Sequence, residues 1–465
     1  MSAPAIWIIF PIIIGALLLF INNQRVLSIL GGIIGLLLAV IAQFIPIETA
    51  MSFGGFSLKI ASSVTVLGRS LLIQPAEGSL LTIIYGAVAL WFFGAEAADS
   101  AKRLVPIGFM ITALMVASIA VEPFLYAALF IQMAILLAIP LMTSIYETPS
   151  KGITRFLVYQ TLAMPFILVA GWLLGGVEAS PSDLDLATQS ASMLGLGFAF
   201  LLAIFPLYTW IPMLAEEVSP YILAFILWIL PTVTIIFCAG FIDRYAFIRT
   251  SPQFITALRL AGLAMLVTGG MFAAFQRNLA RIMSYGAIAE TGFSMLALSL
   301  DVQIGILVLF LLIPARALGL AVWSLAITVI KGHVETMQFG AVQGILRILP
   351  FAGAGMVIAA LSTSTFPLLA GFPGRLALWE NLARLSLPAA LWMGIGIVGL
   401  LTSTIRSLAV ISMAEEYTTW QPRESLTQRI MLGLGVIGLF ILGLFPQAIQ
   451  YFLRDLPLMF EHLGR

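Results

Sequence analysis

Soft and imidazole metal ligands are almost absent from these 465 residues, which hold one cysteine, Cys238, and two histidines, His333 and His462. A single cysteine excludes an intrachain disulfide and a cysteine-ligated cluster, and inside an apolar segment it reads as a small buried side chain. The histidines fall in a loop and a tail, which argues against a haem or zinc centre built by this chain. Charge is equally scarce. Only 9% of residues are Asp, Glu, Lys or Arg, against about a quarter in a soluble globular protein. The net charge of +1 offers no electrostatic reason to expect nucleic acid. There is no P-loop and no cysteine cluster, so no nucleotide and no cofactor is expected on this chain.

What fills the space is hydrocarbon, with 61% of residues apolar. Hydropathy marks about fourteen apolar segments between residues 5 and 453, most long enough to cross a ~30 Å hydrocarbon core at 1.5 Å per residue. The fold class expected is an all-α polytopic membrane protein, one membrane domain over 1–465. The segment at 302–330 needs tilt or a break. The first apolar run begins near Met1 without a basic n-region, and reads as a spanning helix rather than a signal peptide. With no Arg-rich leader, a prokaryotic plasma membrane is the expected location. The polar stretch 47–76, with alternating apolar residues, reads as an extracytoplasmic hairpin.

Prolines interrupt several segments: Pro140, Pro165, Pro206, Pro231, Pro314 and Pro367. Each removes a backbone donor and crowds the preceding turn. Pro206, Pro314 and Pro367 are the expected helix breaks. Pro206 falls in the fourth of five segments over 104–242, and Pro367 in the fourth of five over 254–411. Two five-helix blocks, each broken in its fourth member, form the pattern of an inverted repeat with discontinuous helices.

Two stretches carry more specific information: Phe205-Pro-Leu-Tyr-Thr-Trp-Ile-Pro212 and Gln276-Arg-Asn-Leu-Ala-Arg-Ile-Met-Ser-Tyr-Gly-Ala-Ile-Ala-Glu-Thr-Gly-Phe293. They resemble the signatures of the antiporter-like membrane subunits of complex I (NADH:quinone oxidoreductase), of membrane-bound hydrogenases and of Mrp-type cation/proton antiporters. Gly371-Phe-Pro-Gly-Arg375 resembles a third family segment. The resemblance implies paired broken helices, neighbouring membrane subunits as partners, and an N-terminus outside. With that orientation, the cytoplasmic connections carry twelve of the 22 basic residues and the opposite side nine, in the direction of the positive-inside rule.

The resemblance also implies a row of lysine, histidine and glutamate through the membrane, and here that row is rewritten. The family's glutamate position holds Gln132, and its lysine positions hold Leu201 and either Pro231 or Thr232. The basic position of the second signature holds Ala280, its histidine position holds Glu290, a later histidine position holds Arg316, and the position after Gly-Phe-Pro-Gly holds Arg375. Arginine keeps its proton, so Arg316 and Arg375 suit anchoring better than relay. Glu290 is either the ion-pair partner of Arg316 or a proton carrier. Glu122 and Glu380 are further candidate buried charges, since an ionisable group in a span needs a partner or a polar cavity. Glu216 and Glu217 read as solvated charges or as contacts to a neighbouring subunit.

Three functions follow as expectations. The first is a membrane-arm subunit of a redox-driven proton pump, without a redox centre of its own and with an altered or impaired path. The second is a non-conducting structural subunit of such a complex, or a subunit of an Mrp-type antiporter. The third and weakest is a stand-alone transporter.

Overall fold

A computed structural model describes residues 2–53, 56–66, 68–143, 150–180, 183–413 and 420–463. Helices dominate, and several start where the sequence supplies a side-chain partner for their free N–H groups. The first four helices are α1 (Phe10–Leu18), α2 (Gln24–Phe44), α3 (Gly78–Gly94) and α4 (Ala101–Ala120). The Asn23 side chain accepts from the Arg25 and Val26 amides to start α2. Next come α5 (Ala127–Met142), α6 (Lys151–Ala179), α7 (Leu184–Leu201), α8 (Trp210–Glu217) and α9 (Pro220–Arg244), then the single turn α10 (Ala246–Arg249). Ser150 caps α6 and Asp183 caps α7. The second half holds α11 (Pro252–Phe275), α12 (Leu279–Leu298), α13 (Val302–Lys331), α14 (Pro350–Thr363), α15 (Phe372–Leu385), α16 (Leu387–Ser412), α17 (Leu426–Leu444) and α18 (Gln447–Leu453). Proline opens α9, α11 and α14, where its missing N–H costs nothing. Five short strands lie outside the bundle: β1 (Ala50–Phe53) pairs β2 (Phe56–Lys59), and β3 (Ser63–Val66) and β5 (Val121–Glu122) flank β4 (Arg69–Leu72).

Among the described residues, eleven helices are long and apolar enough to cross a membrane, joined by two shorter apolar stretches, Ala5–Leu18 and Pro350–Thr363. The chain is an all-α polytopic membrane protein. Burial is graded across it: 94% of the apolar window of α9 is inside the molecule, 78% of α4 and of α13, and 11% of α17. The centre is therefore α4, α9 and α13, hydrophobic on every side, with lipid-facing helices around them.

Glycine sets the closest approaches. A Cβ on Gly292 would meet the Gly262 carbonyl at 2.8 Å, and one on Gly270 would collide with the Gly396 backbone. Those two positions let α11 lie directly against α12 and α16, as small residues do between membrane helices.

Two of the three expected proline breaks are present. After α7 the backbone leaves the helix through Ala203, at φ 51°, and Pro206 before α8 begins. After α14 it passes Thr365 (φ 63°), Leu368 (φ 71°) and Pro367 before α15. Pro314 is the correction: it sits inside the continuous helix α13. One missing donor costs a single ladder bond, and packing on both sides carries the helix past it.

Candidate functional site

Helix α12 brings the second signature to the middle of the bundle, where four of its neighbours meet it: α9, α13, α14 and α15. Its Glu290 is 3% exposed. The sequence offers Glu290 as the partner of Arg316 or as a proton carrier; the structure pairs it with Arg375, whose Nη2 donates to Glu290 Oε1. Arg375 is 1% exposed and does two further things. Its Nη1 donates to the Ser362 carbonyl in the last turn of α14, and its guanidinium lies 4.7 Å over the Phe293 ring. The Gly371 amide donates to Ser362 Oγ at 3.1 Å. One arginine thus ties together α12 and both halves of the second broken helix. Arg375 could reach Glu290 because the break at 364–371 turns α15 so that its first turn faces α12.

Arg316, 2% exposed on α13, has a different task. Its Nη2 donates to the Leu227 carbonyl at 2.8 Å and to Thr291 Oγ1 at 2.9 Å. Leu227 lies four residues before Pro231, so Pro231 has removed the amide that would ordinarily bond to it. The arginine satisfies the carbonyl that the proline orphans. Nε and Nη1 of Arg316 have no hydrogen-bond partner among the described residues. The two guanidiniums and one carboxylate leave one uncompensated positive charge in this part of the core.

The first half supplies far less polarity. Gln132 is half-buried and donates to Thr161 Oγ1 at 3.0 Å. Leu201 and Ala280 are buried apolar groups, and Thr232 is buried with an unpartnered hydroxyl. Gln160, which sequence reasoning passed over, is the useful polar residue here. Its Nε2 donates to the Phe200 and Leu201 carbonyls, at 3.2 and 3.3 Å, where α7 ends. The signal was available: a glutamine inside an apolar span needs a partner, and the break 41 residues on needs a donor. Gln160, Leu201, Pro231 and Thr291 surround a cavity of about 10 Å³, room for a single water. The first signature segment lines a roomier cavity of about 320 Å³ with Tyr208, Thr209, Tyr285 and Arg281.

Glu122 and Glu380 are exposed on this chain, so neither is a buried charge. Glu122 lies on β5 beside the hairpins, and Glu380 points off the outer face of α15. Glu216 and Glu217 both act within the chain. Glu216 Oε2 accepts from Arg281 Nη2 at 2.9 Å, and Glu217 accepts the Gly152 amide at the start of α6.

Residues 183–405 match the family described as NADH:quinone oxidoreductase/Mrp antiporter, transmembrane. NAD(P)H-quinone oxidoreductase chain 4 1 of a Nostoc species is 27% identical over 274 residues, 53% of this chain and 48% of that protein. The chain spans about half the length of the curated relatives it matches. Its fold superimposes on a chain of the membrane-bound sulfane sulfur reductase, an archaeal respiratory membrane complex, with a TM-score of 0.82 at 16% identity, covering 100% and 99% of the two chains. A chain of the Mrp complex from Dietzia sp. superimposes with a TM-score of 0.79 at 14% identity, covering 97% and 96%. Two signature segments, two broken helices and these likenesses agree: over residues 183–405 the chain is similar to the NADH:quinone oxidoreductase/Mrp antiporter transmembrane family, and its fold is that of the antiporter-like membrane subunits.

Proposed function

We propose that this chain is a membrane-arm subunit of a redox-driven ion-translocating complex, and that its own interior holds the subunit together instead of carrying protons across it. The observation that carries the reading is the engagement of Glu290. The one carboxylate among the three central charges is bonded to Arg375, which is also held by Ser362 and Phe293. A proton carrier must exchange its hydrogen-bond partners to pass a proton on, whereas Glu290 is bonded to an arginine that is itself anchored at two further points. The first half supports the same reading, because glutamine, leucine, proline and threonine stand where a relay needs titratable groups. In this account the two broken helices mark the paired elements of an inverted repeat, over 104–242 and 254–411. Both are stitched by side chains, Gln160 at the first and Arg375 at the second.

The test is proton translocation by the native assembly in proteoliposomes, comparing wild type with the double variant Glu290→Gln/Arg375→Gln. Removing both charges avoids leaving either one buried alone. Protons moved per electron should be unchanged in assembly-competent double variant. A fall in that ratio at equal electron transfer would assign Glu290 to the path.

A further inference from the structure

A cavity of about 540 Å³ opens between α3, α13 and α17, closed at one end by α18. Gly86, Pro314, Ala317, Gly438 and Phe452 are among its walls. Thr82 and Tyr221 are the polar side chains in the lining, and both are engaged: Thr82 Oγ1 donates to the Gly78 carbonyl at 3.0 Å and the Tyr221 hydroxyl to the Trp91 carbonyl at 2.8 Å. Water gains no partner in such a space, and a void of this size forfeits dispersion contacts along its whole wall. Along α3 the lining runs from Thr82 to Gly94, roughly 18 Å of helix, more than half of a ~30 Å bilayer core. One wall is α17, the least buried of the spanning helices, so the cavity is reachable from lipid.

Charges of both signs flank its two ends. Beyond Leu325, Met431 and Gly94 stand the cations Lys331 and Arg429, with Glu96 two residues past Gly94 and Glu424 just before α17. The Lys331 ammonium donates to the Val218 carbonyl at 3.2 Å, three residues before Tyr221 in the lining, and has no carboxylate partner among the described ion pairs. Arg429 is partly exposed, with Nε 3.9 Å from Glu424. Beyond Thr82 and Phe452 the flanking charges are Glu77, Asp455 and Arg454. We propose that the cavity is a structural lipid site holding one acyl chain of an anionic phospholipid, with its headgroup at the Lys331 and Arg429 end. The acyl chain packs on Pro314, Ala317 and Ala321, the turns of α13 on either side of Arg316.

The experiment is native mass spectrometry of the purified assembly after partial delipidation and incubation with equimolar phosphatidylglycerol and phosphatidylcholine. Wild type should retain one phospholipid per copy of this chain more than Gly86→Phe does. A Cβ at Gly86 meets only the Ala39 Cβ, at 3.9 Å, so the ring can enter the cavity without moving backbone. Ala321→Leu, on the opposite wall, repeats the test should Gly86→Phe fail to assemble. Phosphatidylglycerol should be preferred, and Lys331→Gln should lower that preference about fivefold, the effect of one basic residue at a membrane surface. Equal lipid retention in wild type and the filled variants, a preference unmoved by Lys331→Gln, or a protein helix seen in the cavity would each overturn the proposal.

Discussion

Replacing Glu290 by glutamine, Arg375 by glutamine, and both together separates a mutual ion pair from two independent polar groups. Both side chains are almost wholly buried, so each single change strands the other group's charge in the core, at about 3–5 kcal/mol. Arg375→Gln should cost more than Glu290→Gln. It also gives up the Ser362 carbonyl and the Phe293 face, and a charged donor to a carbonyl is worth about 1.5–3 kcal/mol. The double variant should cost well under the sum, leaving a coupling of about 2 kcal/mol or more. The assay is thermal release of this chain from the detergent-solubilised assembly, read as the fraction retained against temperature. The matching cycle between Glu290 and Arg316 should give a clearly smaller coupling, because no hydrogen bond joins them. Additive costs for Glu290 and Arg375, to within about 0.5 kcal/mol, would refute the pairing as a stabilising unit.

Three further outcomes follow from the same geometry. Arg316→Met should destabilise the chain, and adding Pro231→Ala should recover part of the loss by restoring an amide to the Leu227 carbonyl; the check is the retained fraction of the single and double variants. Gln160→Leu should cost about 1–3 kcal/mol, the penalty for buried polar groups left unpaired, with faster hydrogen exchange in the first turn after Leu201 as its local signature. Arg281→Gln should change thermal release by less than about 1 kcal/mol, since its pair with Glu216 is partly solvated.

Much of this fold was legible because hydrocarbon runs of spanning length admit few alternatives. The breaks at Pro206 and Pro367 were legible for a further reason: each falls in the fourth of five segments, a paired position that Pro314, in the third, does not share. Pro314 stayed in a helix. The partner of Glu290 was not legible. Arg316 and Arg375 both lie far along the chain, and the choice depends on how the second break aims the first turn of α15. The link between Pro231 and Arg316 was hidden for a similar reason, since a missing amide shows in the sequence while the group that replaces it does not. Glu122 and Glu380 were misjudged because apolar neighbours in sequence do not fix which face of an element points outward.

The most direct measurement is a structure of the native assembly at a resolution that shows ordered water between Gln132, Leu201, Thr232, Glu290, Arg316 and Arg375. The account predicts isolated waters at most around Gln132 and Leu201, with Glu290 still bonded to Arg375. A continuous file of waters running from one membrane face through Gln132 to a Glu290 released from Arg375 would contradict it.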